Sequence, residues 1–501
     1  MYNVFIKYNH ERGKGMKNKQ RLISAMLASV ITAGTIGCGS GNSENATESA
    51  PDITDSSSEE TTSGDYVKPD KSFDGQTVSF LLWTESTLHF GTEETNGDVI
   101  NDAVYERNAK VQELFDVKFS YDSRSGAGNT YAAWLNTLNS SILAGDNAYQ
   151  LAGGYGYRLA GDTLNDSFQN LKANPYIDFS KPWWPSNIIE AADIGGRMNL
   201  CFGNLDPTYY DTTYAMFFNK QLAENIGAGD LYSMVDDGTW TIDKMFSLAI
   251  SGALDIDGDT KIGEGDIYGY VSNDGMCVDA YIQACDIKIT ERGKDDIPQL
   301  TGLSERYINS VNKLRDFVYN SGAVWVEGFK DDKMLSTFGS GKALFYPNLL
   351  AMAHQLRDMS DDFGILPYPK YDKAQERYIT YNAIGNSTAF VAPITSDEEL
   401  VGCILEALAY YGWKDILPEY YERALKGKAA RDNASEAMLD IVFSNIEYDF
   451  TQIYSFNFGD CKSPSMLMRN AVGGNKDISS LWAKDENLYK STMDSLIEAL
   501  K

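Results

Sequence analysis

Hydrophobic and polar positions follow two rhythms along the first hundred residues of the folding part of this chain. The run "QTVSFLLW" (Gln76–Trp83) is β-rich and predicts a buried strand. Ile100, Val104, Val111, Leu114 and Phe115 then recur every three or four residues, which predicts a helix. "DVKFSY" predicts a second strand. Trp134, Leu135, Leu138, Ile142 and Leu143 mark another helix stopped at Gly145, and "AYQLAGG" predicts a third strand. Strand, helix, strand, helix, strand argues for a parallel sheet covered by helices. In such sheets ligands sit beyond the carboxyl ends of the strands, which places Trp83-Thr84-Glu85 and Gly153-Gly154-Tyr155 at one edge.

The middle of the chain repeats the pattern. "YAMFFNKQLAENIG" reads as a strand running into a short helix. Thr241 caps a helix carrying Met245, Phe246, Leu248 and Ala249, with Asp243 placed to oppose the helix dipole. "GKALFYPN" and "STAFVAP" are two later buried strands. Ser396-Asp397-Glu398-Glu399 forms a capping box before Leu400, Val401, Ile404, Leu405 and Leu408. The remainder of the chain is mostly helical, and no repeat of solenoid length is present.

The amino-terminal pattern is of another kind. Lys17, Lys19 and Arg21 precede an apolar run from Leu22 to Gly37, the parts of a secretory signal and too short to span a bilayer well. Gly37-Cys38 resembles the end of a bacterial lipobox, with Thr35 where that motif usually has Leu. An ordinary cleaved signal with a chance cysteine is the alternative. "ERGKG" before Met16 reads like a translated ribosome-binding site, so Met16 is the expected start. Gly39–Asp65 is mostly Ser, Thr, Glu, Asp, Asn and Gly, which cannot bury enough apolar surface to order itself. As a flexible leash it reaches roughly 30 Å on average. The expected division is 1–37 signal peptide and 38–65 lipidated Cys38 with a disordered linker.

Charge narrows the partners. Residues 38–501 hold 37 basic and 70 acidic side chains, a formal net charge of −33 with His neutral. Such a surface repels phosphate backbones, which excludes nucleic acid. The cysteines after Cys38 are Cys201, Cys277, Cys285, Cys403 and Cys461, an odd number without a disulfide framework; Cys277–Cys285 is the one close pair. His89 and His354 are the histidines of the mature chain, so no His-Cys metal spacing exists and Ser-His-Asp chemistry is disfavoured.

"RNAKVQELFDVKF", "YIDFSKPWW", "YAMFFNKQLAENIG", "DGTWTIDKMFSLA", "GKALFYPN", "FGILPYPKYD" and "AFVAP", in this order after a lipobox and leash, resemble the extracellular solute-binding proteins of bacterial ABC importers, in the sugar-binding branch that includes maltose-binding protein. The resemblance runs from about Phe73 onward. It implies a two-lobed periplasmic-binding-protein-like α/β fold (type II), with mixed sheets flanked by helices and a ligand cleft between lobes. Crossings are expected near Thr213, Tyr346 and Leu408, giving residues 73–212 plus 347–408 as lobe 1 and 213–346 plus 409–501 as lobe 2. It further implies a carbohydrate ligand, ABC permease subunits as partners, membrane attachment by lipid alone on the outer face of a Gram-positive cell, a monomer, and no enzymatic activity. The chain itself has no phosphate-binding G-x-x-x-x-G-K-[ST] loop.

A sugar site needs aromatic faces to stack on and carboxylates or amides to take hydroxyl protons. Trp83 and Glu85 follow the first strand, and Tyr155 and Tyr157 follow the third beside glycines that would let a ligand approach. Tyr209 and Asp211 precede the first crossing. Trp183 and Trp240 complete the candidates, although "TW" at 239–240 also suits packing against its own helix. For each the competing role is a core or rim aromatic.

The sharpest local motif is "DIDGDTKIGEGD", Asp255 to Asp266. Asp255, Asp257 and Asp259 stand at positions 1, 3 and 5 of an EF-hand-like loop. Lys261 offers its carbonyl at 7, and Asp266 stands at 12. Gly258 at position 4, Thr260 at 6 and Asp instead of Glu at 12 depart from the pattern. Three alternating aspartates repel one another unless a cation joins them, so structural Ca²⁺ is expected, against a solvated acidic turn. A dockerin would need a second such loop, and none is found. Two other functions remain open: a secreted glycoside hydrolase using two carboxylates, and capture of a peptide or other non-sugar solute on the same fold.

Overall fold

The structure, a computed structural model, describes residues 66–84, 90–328, 333–421, 432–459 and 461–499. The signal, Cys38, the leash and Glu85 lie outside the described residues.

The first sheet forms as the alternation dictates. β1 (Gln76–Trp83), β2 (Val117–Arg124) and β3 (Leu151–Tyr155) are parallel with β1 in the middle, joined by helices Val99–Phe115 and Tyr131–Ala144. Central placement explains the composition of β1, whose Val78, Phe80, Leu81 and Leu82 are fully buried. The first helix buries Ile100, Val104, Val111 and Phe115 and is capped by Asp98.

The second sheet repeats the plan. It contains β4 (Tyr214–Asn219), β5 (Tyr268–Asn273), β8 (Val324–Glu327), β9 (Ala343–Leu349) and β10 (Phe363–Leu366), in the order β10-β4-β9-β5-β8. The hairpin of β6 (Thr290–Arg292) and β7 (Pro298–Leu300) stands apart from it. β5, β8 and β9 are parallel and β4 runs against β9. In the first sheet β12 (Thr388–Val391) runs against β3 in the same way. Each sheet therefore holds one antiparallel strand that follows directly on a passage of the chain from the other. The short parallel pair joins β11 (Thr380–Tyr381), inside the returning passage, to β13 (Ile446–Glu447), far along the C-terminal segment.

The passages differ from expectation at two of three places. The chain leaves the first sheet after Cys201, which bridges Phe390, and enters the second at Tyr214. Tyr346 is not a crossing: it lies inside β9, and Phe363–Leu366 still pairs with β4, so the return falls between Leu366 and Thr388. Leu408 is not one either. Beyond it, Asp415 pairs with Lys110 at 3.2 Å and Trp413 meets Trp183, both first-lobe contacts. Among the described residues, Asp432 pairs with Lys220, and Ser435 Oγ accepts the Ile365 N–H at 3.1 Å, both second-lobe contacts. The first two passages are stitched together by fully buried Asn382, whose amide donates to Tyr209 O (2.9 Å) and Thr213 Oγ1 (3.0 Å).

The caps were nearly legible. Thr241 Oγ1 accepts the Lys244 N–H as expected. The helix Glu398–Tyr411 is capped by Asp397, which accepts the Leu400 N–H at 2.9 Å, and not by Ser396. None of the five described cysteines is in a disulfide; Cys277 lies in the first turn of the helix Met276–Ala284 and donates to Pro347 O, and Cys285 caps that helix. No helix among the described residues is long and apolar enough to cross a membrane.

Candidate ligand site

β1 and β3 end side by side, and the rings at their ends form the start of a row. The Trp83 ring stacks on Tyr155 with centroids 5.1 Å apart and planes 22° apart. Tyr155 meets Tyr157 at 5.9 Å, and Tyr157 meets Phe456 edge-on at 5.5 Å. The Arg158 guanidinium lies over Phe456 and Tyr131, 4.6 and 5.4 Å from their centroids. The Tyr155 O–H is 3.4 Å from Asn386 Oδ1, and Asn386 Nδ2 is 3.5 Å from Met276 Sδ. Met276 opens the second-lobe helix Met276–Ala284, which follows β5. Strand ends of the first lobe, the returning passage and the second lobe thus meet at half-buried Tyr155, Asn386 and Met276. Ring faces, a carboxamide and a guanidinium suit a ligand that is flat and rich in hydroxyl groups.

The structure places the sequence candidates unevenly. Tyr155 belongs to this row at its surface, whereas Trp83 is only 2% exposed and lies beneath it. Trp183 (1% exposed) is a core residue whose indole donates to Glu406. Trp240 (0% exposed) donates to Pro367 O at 2.9 Å and packs on Phe345, the role its helix start suggested. Tyr209 is buried against Tyr210 and accepts the Tyr448 O–H at 2.9 Å. Asp211, 3% exposed, accepts the Tyr420 O–H and so faces the C-terminal part of the chain. The glycines at the end of β3 and at the start of the helix that follows it do not open space for a ligand. A Cβ at Gly154 would stand 2.6 Å from Trp134, and one at Gly156 would stand 2.8 Å from both Phe202 and Ser387 O. They are small so that rings can pack.

Arg158, Met276, Asn386 and Phe456 were missed. Arg158 directly follows Tyr157, so adjacency could have found it. The other three come from distant segments without a local signature.

The carboxylate that holds Trp183 has a measurable consequence. Glu406 is buried and accepts from Trp183 Nε1 (2.9 Å), Trp184 Nε1 (2.8 Å) and Asp178 N (3.3 Å). Burial outweighs these donors and raises its pKa to about 7. An acid raised in this way stabilises the fold fully below its unfolded value, and that contribution fades as pH climbs through the folded value. Glu406→Gln is therefore expected to gain on wild type by roughly 3 kcal/mol between about pH 4.5 and pH 8. Urea unfolding across that range checks it; curves that stay parallel refute it.

In the acidic loop, carboxylate oxygens of Asp255, Asp257 and Asp259 lie within 4.8 Å of one another. Asp255 accepts the N–H groups of Gly258 (2.6 Å) and Thr260 (2.8 Å), which folds the loop inward. Thr260 takes φ +74°, where the EF-hand pattern has glycine. Asp266 is buried and turned elsewhere, its two oxygens accepting Ile256 N and Gly263 N at 2.8 Å each. Lys261 is exposed, and its N–H donates to Asp259. The three aspartates fit a hard cation, whereas Asp266 as placed does not join them.

No protein-family model matches the sequence, and no curated protein does. Among solved structures, the chain is similar to a cyclo/maltodextrin-binding protein complexed with maltotetraose, at 14% identity over 84% of this chain and 98% of that one, with TM-score 0.53. It is equally similar to UgpB from Mycobacterium tuberculosis in complex with glycerophosphocholine, at 14% identity over 84% and 99%, with TM-score 0.53. An ABC substrate-binding protein from Listeria monocytogenes in complex with cycloalternan matches at 12% identity over 85% and 99%, with TM-score 0.50. Identities this low speak for fold alone. The chain has the two-lobed α/β architecture of periplasmic-type solute-binding proteins, with sheets flanked by helices.

Proposed function

We propose that this protein is the solute-capturing component of an ABC importer. It binds a neutral carbohydrate, an oligosaccharide by the length of its ring row, and passes it unchanged to a permease. The observation that carries the reading is the row Tyr155–Tyr157–Phe456, seated on buried Trp83, which runs from the carboxyl end of a first-lobe strand to the C-terminal segment. Half-buried rings in such a row offer faces for the flat sides of sugar rings. Lipid on Cys38 would moor the protein outside the membrane as a monomer, with the leash giving it reach.

Thermal-shift screening against malto-oligosaccharides, followed by X-ray scattering and product analysis, tests this. The expected result is a higher melting temperature, a smaller radius of gyration as the lobes close and intact sugar. Hydrolysed product would favour the glycosidase reading. Arg158 beside the rings favours one further class, a phosphate-bearing polyol, so glycerophosphocholine belongs in the same screen.

For the acidic loop we propose Ca²⁺ held by Asp255, Asp257 and Asp259, with a structural role. Three carboxylates this close repel one another, and a bound cation would relieve that repulsion. EDTA is expected to lower the melting temperature and Ca²⁺ to restore it, while Asp257→Asn abolishes the response. An unchanged melt in EDTA removes the site.

A further inference from the structure

Beneath the ring row lies a buried hydrogen-bond relay. The Trp83 indole N–H donates to Thr388 Oγ1 at 3.1 Å, and the Thr388 hydroxyl donates to Asp206 Oδ2 at 2.7 Å. All three side chains are buried. Thr388 opens β12 and stands directly opposite Tyr155 in the antiparallel ladder with β3. Asp206 lies on the passage that leaves the first lobe, and Thr388 ends the passage that returns to it. Next to Asp206, the Leu205 carbonyl accepts from buried Arg107 at 2.7 Å, which fixes that stretch of backbone.

Packing already confines the buried Trp83 indole to few orientations, and the hydrogen bond at its N–H selects among them. The acceptor is one hydroxyl, and its own proton is committed to a carboxylate, so its lone pair must face the indole. The plane of Trp83 is thereby set, and with it the plane of Tyr155 stacked 5.1 Å away. We propose that Thr388 and Asp206 are positioning residues for ligand capture: they fix the tilt of the Tyr155 ring by anchoring the indole beneath it to both interlobe passages. A ligand meets a preorganised face and spends no binding energy on ordering it. The proposal rests on the carbohydrate-binding reading for its ligand, and on the relay alone for the ring geometry.

Thr388→Val removes the hydroxyl at nearly constant volume, Thr388→Ser retains it, and Trp83→Phe removes the indole N–H while keeping a ring. Near-ultraviolet circular dichroism reads the Trp–Tyr stack, and calorimetric titration with maltotetraose reads capture. Expected are an altered aromatic band and about tenfold weaker maltotetraose binding in Thr388→Val, the cost of one ordered contact. Thr388→Ser should restore both. In a Trp83→Phe background, Thr388→Val should change neither further, which a purely structural role of Thr388 would not produce. A folded Thr388→Val with wild-type dichroism overturns the proposal, as does a Thr388→Ser that fails like Thr388→Val. If wild type binds no maltotetraose, the choice of ligand fails, and the dichroism comparisons still decide the relay.

Discussion

Trp83→Ala is expected to cost about 3–5 kcal/mol of stability, while Tyr155→Ala leaves the fold nearly intact and weakens saccharide binding about tenfold or more. The two rings touch, yet they occupy different environments. Trp83 is 2% exposed, closes the end of a central strand and spends its only polar atom on Thr388. Deleting it opens a cavity and leaves that hydroxyl without a donor. Tyr155 is half-buried, so part of its side chain stays within reach of a ligand. Denaturant unfolding and calorimetric titration of both variants check the split. Equal loss of stability in the two would mean that Tyr155 belongs to the core as well.

The same pair shows what was legible in the sequence and what was not. Strand ends at Trp83 and Tyr155 could be read because short apolar, β-rich runs bounded by turn residues mark them. Their depth could not, because depth depends on Thr388, more than two hundred residues onward. Trp183 makes the point more strongly: it looks like a surface aromatic beside a turn, yet it is buried with its indole N–H donating to Glu406, far along the chain, whereas the burial of Trp240 was suggested by its helix start. Glycine runs mislead in the opposite direction, since a small residue that admits a ligand and one that admits Trp134 look identical in one dimension. β10 was misplaced for a related reason. Residues 363–366 fell within the expected lobe 1 yet pair with β4, and an edge strand carries no mark of which sheet it joins.

Arg469→Met is expected to destabilise the protein by about 3–5 kcal/mol, with most of that loss recovered in Asp279→Asn/Arg469→Met. Arg469, on helix Leu467–Gly473, donates through Nε to Asp279 Oδ2 on helix Met276–Ala284, in a setting where Asp279 is 1% exposed. Burial pushes the Asp279 carboxyl above its ordinary value, and Arg469 pulls the other way. Without Arg469 the carboxylate must either stay charged in a dry site or take up a proton, and both cost free energy. Removing both charges leaves an amide whose desolvation penalty is far smaller, which is why the double variant should recover. The pair pins the helix whose first residue, Met276, meets Asn386 at the ligand site. Arg469→Met should therefore also weaken saccharide binding, and the double variant should restore stability and affinity together. Recovery of stability without recovery of affinity would separate that helix from the ligand site.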